Sequence, residues 1–290
     1  MWWPIFWRHW DIDILAYFAA PMKQEKQYRS LCFDAMEVVK IAASYIRERH
    51  ENRAELNIEA KGRQNFVTEV DKQAEQILVN GLAEIIPEAG FIAEEGTSSK
   101  NGDTYNWVID PVDGTTNFIH GVFPFAISVG LIEDKEVVTG IVYEFGLDEY
   151  FYAWKGGGAW LNDKPIHVSD VKTVGQSLLA TGFPYTNFRY LSEFFESIHY
   201  FMQNSHGLRR LGSAATDMAY VACGRYDGFY EYGLSPWDIA AGILLIREAG
   251  GEVSDFTGNS NPLFQEAIVC SNGRIHNEFQ ETTRKIMLKQ

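Results

Sequence analysis

Residues 107–118 read Trp-Val-Ile-Asp-Pro-Val-Asp-Gly-Thr-Thr-Asn-Phe, an apolar run that leads into two aspartates and a glycine. The apolar run predicts a buried strand that ends at Asp110, and Pro111, which has no backbone N–H, is expected to stop further strand pairing. Gly114 permits a tight backbone path that brings amide groups close to a ligand. Asp110 and Asp113 can therefore point into one pocket.

The two threonines after the glycine, Thr115 and Thr116, are expected to begin a helix. A helix N-terminus offers unpaired amide groups and a positive dipole to a phosphate. One short segment thus predicts cation ligands beside an anion cradle. Two alternatives stay open. Asp-Pro and Asp-Gly are common in ordinary turns, and haloacid-dehalogenase phosphatases also place two aspartates before Gly-Thr, although with one intervening residue where this chain has two.

Carboxylates occur at three further places where a strand or helix begins or ends. Glu94 and Glu95 follow a short apolar strand, Asp71 lies in the first turn of a predicted helix, and Asp238 lies in the first turn of a strongly apolar helix. Each has an ordinary explanation, since acids in first turns stabilise the helix dipole and exposed glutamates are usually solvated. Their coincidence is informative, because hard divalent cations prefer several oxygen ligands.

Helices and short strands alternate along the rest of the chain. Helices are predicted over residues 28–50, from the cap Thr68 to Pro87, over 191–202, 213–223 and 236–249, and at the C-terminus. Strands are predicted over 91–93, 107–109, 125–132, 137–143, 150–154, 178–181, 228–231 and 268–270. Consecutive strands without intervening helices favour an antiparallel or mixed sheet. The pattern indicates an α/β (α+β) fold of layered helices and sheets, with two packed halves that meet near residues 170–185.

Composition excludes some classes of protein. The formal net charge of -14 opposes nonspecific binding to nucleic acid, which depends on lysine and arginine. No segment approaches the roughly 20 apolar residues of a membrane span. The cysteines, Cys32, Cys223 and Cys270, are odd in number and lack zinc or disulfide spacing, which is typical of a reducing cytoplasm.

The N-terminal residues differ from the rest of the chain. Residues 1–21 carry several tryptophans interrupted by charged residues, whereas Met22 opens a polar run typical of the start of a cytosolic protein. We expect residues 1–21 to be an extension that is not part of the fold, and residues 22–290 to be the catalytic domain. A membrane-surface anchor of aromatic residues is the alternative, although basic residues are scarce there.

Three motifs together resemble the signatures of the inositol monophosphatase family: Asp110-Pro-Val-Asp113-Gly-Thr-Thr-Asn-Phe, Glu94-Glu95 and Trp237-Asp238-Ile-Ala-Ala-Gly. The resemblance runs from about Tyr28 to the C-terminus. It implies a layered α-β-α-β-α sandwich of the sugar-phosphatase type with mixed or antiparallel sheets. It also implies a homodimer, Mg²⁺ as cofactor and inhibition by lithium.

The resemblance implies a metal site with two to three Mg²⁺ ions. Glu94, Asp110 and the backbone carbonyl of Val112 would hold the first ion, and Asp110, Asp113 and Asp238 the second. Glu94 would also help to bind a weaker third ion. Outside this set, Lys61 matches a family lysine near the metal site, with a solvated loop lysine as the alternative.

The resemblance also assigns catalytic and substrate-binding residues. Thr115, assisted by Asp71 or Glu94, would orient the attacking water and accept its proton. Gly114 and Thr115 match the segment that contacts phosphate, and Glu231 matches a position that contacts the polyol. The residues expected to contact substrate are Glu94, Val112, Asp113, Gly114, Thr115, Gly212, Ser213, Ala214, Glu231 and Asp238.

The predicted function is hydrolysis of an inositol monophosphate, myo-inositol 1-phosphate, to inositol and phosphate in the cytoplasm. Fructose 1,6-bisphosphate, 3′-phosphoadenosine 5′-phosphate and NADP stay open as substrates, and Arg209 and Arg210 would favour a more highly charged one. Two remoter alternatives are a noncatalytic metal- or ligand-binding regulator and a phosphatase that forms a covalent aspartyl phosphate. The expected partner is a small polyol or sugar phosphate, not nucleic acid.

Overall fold

The computed structural model describes residues 11–52, 58–62, 65–185 and 187–289, with side chains for 22–52, 68–185 and 187–289. Seven α-helices lie within these residues: α1 (Asp11–Glu51), α2 (Glu69–Ile85), α3 (Thr115–His120), α4 (Leu191–Asn204), α5 (Ala214–Ala222), α6 (Pro236–Glu248) and α7 (His276–Met287). None of these described helices is long and apolar enough to cross a membrane. Residues 1–10 and the side chains of 11–21 lie outside the described part, so the separate N-terminal extension stays a prediction.

The described residues form fourteen strands in three sheets. The first two strands make a hairpin, the next seven make one sheet in the order β3-β4-β5-β6-β7-β8-β9, and the last five make a second sheet in the order β11-β10-β12-β14-β13. The strands are β1 (Ile58–Gly62), β2 (Asn65–Thr68), β3 (Gly90–Ala93), β4 (Tyr105–Asp113), β5 (Ala126–Glu133), β6 (Glu136–Glu144), β7 (Glu149–Trp154), β8 (Ala159–Leu161), β9 (Lys164–Ile166), β10 (Leu178–Thr181), β11 (Gly207–Arg209), β12 (Gly228–Tyr232), β13 (Glu252–Ser254) and β14 (Ala267–Ser271).

Both larger sheets are mixed. In the seven-stranded sheet β3 is parallel to β4, and every later pair is antiparallel. In the five-stranded sheet β10 is parallel to β11 and β12, whereas β14 is antiparallel to β12 and β13. The chain passes from one sheet to the other between β9 and β10. The predicted mixed pairing is confirmed.

Three hydrophobic clusters hold the layers together. In the first, α1 and α2 pack on one face of the seven-stranded sheet, where Trp107 and Ile109 of β4 point. In the second, α5 and α6 fill the space between the two sheets and meet Val108 of β4, since successive strand residues face opposite sides. In the third, α4 and α7 cover the outer face of the five-stranded sheet. The layered α-β-α-β-α prediction is confirmed.

The structure differs from the sequence expectation at Pro111. Strand pairing was expected to stop there, but Asp110 pairs with Ser128 and Asp113 pairs with Ala126, with an irregularity between the two aspartates. The missing N–H of Pro111 is tolerated because it falls in this bulge, where one extra residue of β4 lies opposite β5. The bulge ends the regular ladder without ending the strand, and both aspartates remain on it.

Candidate active site

Three carboxylates from distant parts of the chain meet at the end of β4. Asp110 and Asp113 come from the bulge, Asp238 comes from the first turn of α6, and one oxygen from each lies within 4.8 Å of the others. Asp110 and Asp113 are buried and Asp238 is half-buried. Their convergence, which the sequence predicts, is therefore present in the fold.

Local hydrogen bonds fix each of these carboxylates. Asp110 Oδ1 accepts the backbone N–H of Val112 at 2.9 Å, which closes the bulge. Asp238 Oδ2 accepts the backbone N–H of Ser235 at 2.7 Å, as the reciprocal half of a capping box that starts α6. The aspartate in the first turn of α6 therefore has a helix-capping role and a place in the cluster at the same time.

Asp113 links β4 to the first turn of α5. Its Oδ2 accepts the hydroxyl of Ser213 at 2.6 Å and the backbone N–H of Ala215 at 2.7 Å. Ser213 caps α5, and its hydroxyl also lies 2.7 Å from that of Thr216. Ser213 and its helix thus position one carboxylate of the cluster, and Ser213 also lines the cavity.

The charged forms of the three carboxylates are disfavoured in this cluster, so their pKa values are raised. Burial raises the pKa of Asp110 well above its usual range, and the neighbouring charges of Glu94, Asp113 and Asp238 raise it further. Burial raises the pKa of Asp113 to about 6, although its hydrogen bonds from Ser213 and Ala215 oppose the shift. The pKa of Asp238 is also raised, first by burial and then by Asp113. Acids that repel one another in a buried site favour either protons or a cation.

Thr115 and Asp71 form a separate pair beside the cluster. The Thr115 hydroxyl lies 3.3 Å from Asp71 Oδ1 and 3.1 Å from the carbonyl oxygen of Val112. Asp71 Oδ2 accepts the backbone N–H of Thr68 at 2.8 Å and its hydroxyl at 2.5 Å. Asp71 is fully buried, and burial raises its pKa. The capping box of α2 therefore holds a carboxylate against the first residue of α3.

One cavity of about 230 Å³ brings the predicted site residues together. Its lining includes every one of them except Asp71, which lies behind Thr115. Glu94 comes from the turn after β3 and Glu231 from β12, and both line the cavity. The predicted residues that line it are Glu94, Asp110, Val112, Asp113, Gly114, Thr115, Gly212, Ser213, Ala214, Glu231 and Asp238.

The turn after β10 supplies cavity residues that sequence reasoning missed. Gly182, Phe183, Pro184 and Tyr185 all line the cavity. A side chain at Gly182 would place its Cβ 2.1 Å from the carboxylate of Glu231, so glycine leaves the space that Glu231 occupies. The available signal was positional, because ligands bind at the carboxyl ends of parallel strands and β10 is parallel to both its neighbours.

Arg210 provides a positive charge at the cavity wall. Among the described lining residues it is the one lysine or arginine. Its guanidinium lies 4.9 Å from the ring centroid of Phe183 and 5.5 Å from that of Tyr185, and it donates a hydrogen bond to the Tyr185 hydroxyl. Arg209, also considered from the sequence, is exposed and does not line the cavity. The side chain of Lys61 lies outside the described residues.

Comparison with known proteins agrees with this geometry. The sequence profile of the inositol monophosphatase family matches residues 27–288. The chain belongs to the inositol monophosphatase family. It is 41% identical over 231 residues to an inositol-1-monophosphatase of Rhizobium meliloti, an alignment that covers 79% of this chain and 87% of that protein.

Other known proteins are similar over comparable lengths. Nus factor SuhB of Escherichia coli strain K12 is 39% identical over 242 residues, which cover 83% of this chain and 91% of that protein. The solved structure of an inositol monophosphatase from Anabaena (Nostoc) sp. PCC 7120 superimposes with a TM-score of 0.79 at 32% identity, over 89% of this chain and 96% of that chain. The inositol monophosphatase fold is therefore shown for this chain.

Proposed function

We propose that this protein is a Mg²⁺-dependent phosphomonoesterase that hydrolyses an inositol monophosphate, myo-inositol 1-phosphate, to inositol and phosphate. The observation that carries the proposal is one cavity in which Asp110, Asp113 and Asp238 converge, with Thr115 and Glu231 on its walls. Membership of the inositol monophosphatase family supports a phosphate-bearing small molecule as substrate.

The cluster fits Mg²⁺ because its donors are all oxygen atoms and their negative charges repel one another. Glu94, Asp110, Asp113, Asp238 and the carbonyl of Val112 would hold two to three ions. Such ions lower the pKa of a water molecule and offset charge on the phosphate and leaving oxygen. No sulfur or imidazole group belongs to the described cluster, which favours a hard cation over zinc.

The chain's own residues would orient the reactants. The Thr115 hydroxyl can accept a hydrogen bond from the attacking water while it donates to Asp71 or to the Val112 carbonyl. Asp71, whose pKa is raised by burial, can take up a proton through this hydroxyl. Glu231 also lines the cavity, and its carboxyl group suits the hydroxyl groups of a polyol.

The experiment that tests the proposal is phosphate release from four compounds, with and without Mg²⁺ and Li⁺. These compounds are inositol 1-phosphate, fructose 1,6-bisphosphate, 3′-phosphoadenosine 5′-phosphate and NADP. Mg²⁺-dependent, Li⁺-sensitive preference for inositol 1-phosphate is the expected result. Preference for another compound would replace the substrate and keep the reaction, whereas no release from any would overturn the proposed activity.

Magnesium affinity is expected to fall as the solution becomes acidic. The pKa of Asp113 is raised to about 6 by burial, and cation binding requires its charged form, so protons compete with Mg²⁺ as the pH falls through about 6. Affinity should drop roughly tenfold for each pH unit and each proton displaced. Isothermal titration calorimetry at pH 5, 6, 7 and 8 measures this, and a constant affinity across the series would contradict it.

Replacement of Glu231 should act on substrate recognition. Burial raises the pKa of its carboxyl, and neighbouring acids, Asp217 first, raise it further. Hydrogen bonds from a bound ligand would compensate for the burial of this polar group. We expect Glu231→Gln to raise KM for inositol 1-phosphate by roughly tenfold with little change in kcat. The matched measurement uses 4-nitrophenyl phosphate, which lacks a polyol. An equal KM change for both esters would argue against a polyol contact.

We further propose a homodimer in the cytoplasm, on the strength of the family resemblance, and light scattering of the purified protein tests the dimer.

A noncatalytic role is the second candidate function, because relatives such as the Escherichia coli protein at 39% identity are called Nus factor SuhB. Our primary proposal remains catalytic because the carboxylates and Thr115 are all in place. A protein that binds Mg²⁺ but releases no phosphate would favour the noncatalytic alternative.

A further inference from the structure

Glu75 is a fully buried glutamate that the proposed chemistry does not use. It lies on α2, and its side chain is 0% exposed. One carboxylate oxygen accepts the backbone N–H of Glu95 at 2.7 Å, and the other accepts that of Thr97 at 2.8 Å. Burial of a carboxylate is unfavourable unless hydrogen bonds compensate, and bonds to a charged acceptor are among the strong ones. Glu75 therefore holds the backbone of the turn after β3 at two points.

The turn that Glu75 binds carries Glu94. The backbone N–H of Glu94 donates to the carbonyl of Ile109 on β4 at 3.2 Å, and Gly96 donates back to Ala93 at 3.3 Å. Gly96 has φ of +69°, a left-handed conformation that the tight turn requires. The turn is thus attached to β4 at Glu94 and to α2 at the next residue along the chain.

The same helix also contacts Thr115, a second residue of the site. Asp71 and Glu75 are one helical turn apart on α2 and share its buried face. Asp71 accepts the hydroxyl of Thr115, while Glu75 accepts the amides that follow Glu94. Helix α2 therefore contacts both Thr115, which is proposed to orient the attacking water, and the turn that carries Glu94, a proposed metal ligand.

We propose that Glu75 is a positioning residue that fixes the turn after β3, so that the Glu94 carboxylate points into the metal site. The inference rests on the proposed role of Glu94 as a magnesium ligand. Groups that orient metal ligands without touching the metal affect binding strongly, and their loss typically weakens metal affinity by roughly 10- to 100-fold. The side chain of Glu94 lines the cavity, and its charge acts on the buried Asp110.

The chain offers a matched control in Glu144. This glutamate is 1% exposed and accepts two backbone amides in a tight turn, Gly146 at 2.6 Å and Leu147 at 2.7 Å. It does not line the cavity. A glutamine at either position keeps the side-chain volume but turns an N–H group toward a backbone N–H. Glu75→Gln and Glu144→Gln should therefore cost similar stability, and only the first should disturb the metal site.

The test is Mg²⁺ binding by isothermal titration calorimetry, together with the Mg²⁺ dependence of phosphate release from inositol 1-phosphate. We expect Glu75→Gln to weaken Mg²⁺ binding about tenfold or more, with a smaller loss of kcat at saturating Mg²⁺. The Glu144→Gln protein should keep wild-type Mg²⁺ affinity. Equal Mg²⁺ affinity in the two variants would overturn the positioning role. Failure of the wild-type protein to bind Mg²⁺ would instead overturn the proposed function.

A second variant keeps the test valid if Glu75→Gln does not fold. Gly96→Ala strains the backbone of the same turn, because an alanine disfavours a φ of +69°. It should not disturb packing, since Gly96 is exposed and an added Cβ meets no atom within 4 Å. It should weaken Mg²⁺ binding in the same direction as Glu75→Gln, because a left-handed alanine pulls the backbone away from its observed path. Unchanged Mg²⁺ affinity in Gly96→Ala would contradict the importance of the turn geometry.

Discussion

The Asp110→Asn protein is expected to fold and to lose at least about a thousandfold in kcat for inositol 1-phosphate, since metal-ion catalysis supplies several kcal/mol. Asparagine can still accept the Val112 N–H that holds this side chain at 2.9 Å. It removes, however, the charge shared with Asp113 and Asp238. Phosphate release at several Mg²⁺ concentrations measures the loss, and thermal unfolding measures the fold.

Thermal unfolding separates a metal ligand from a structural residue. In a chelating buffer, Asp110→Asn should unfold at or above the wild-type temperature, because one carboxyl is removed from a mutually repelling cluster. Added Mg²⁺ should stabilise the wild-type protein far more than the variant. Asp134→Asn, at an exposed position in the β5–β6 turn, is the control: it makes the same aspartate-to-asparagine change away from the cluster. An active Asp110→Asn protein, independent of Mg²⁺, would refute the proposed mechanism.

The Thr115→Ala protein is expected to lose roughly 10²- to 10³-fold in kcat, the range of a general acid–base contribution. The hydroxyl that disappears is the one between Asp71 and the Val112 carbonyl, at 3.3 Å and 3.1 Å. Mg²⁺ affinity should change little, because the carboxylates of the cluster remain. Steady-state kinetics combined with calorimetry tests both statements.

Thr115→Ser is the matched control for the hydroxyl, because serine keeps the oxygen and loses only a methyl group. We expect its kcat to stay within about tenfold of wild type, since the group that exchanges protons is retained. If Thr115→Ser were as inactive as Thr115→Ala, packing at the start of α3 would explain the loss better than proton transfer.

The sequence predicted the convergence of three carboxylates, because chemistry and local structure share one signal at those positions. Asp110, Asp113 and Asp238 each sit at a strand end or in a first helical turn, and those positions are visible as apolar runs with a proline or glycine beside them. The strand at Leu178–Thr181 was predicted with the bounds it has. Patterns of this kind depend on neighbours in the chain, so tertiary contacts are not needed to recognise them.

The sequence failed where a residue acts only through distant partners. Glu75 lies on the buried face of α2, next to Ala74 and Leu78, but its role depends on amides 20 residues or more away, which no local pattern indicates. Strands β8, β9 and β11 have three residues each, too few for an alternating pattern to be recognised. The polar stretch at 57–65 was not predicted to pair, yet β1 and β2 form a hairpin across it.

The carboxylate cluster joins β4, in one sheet, to a helix that is also packed against the other sheet. In a chelator the like charges of the cluster would push these layers apart, whereas a divalent ion bound between them would hold the layers together. Chelation should therefore loosen the protein along this internal boundary before the rest of it. Proteolysis and amide hydrogen exchange at the residues around the site would then be faster without the cation than with it. The cation would thus stabilise the packing of the layers as well as take part in catalysis.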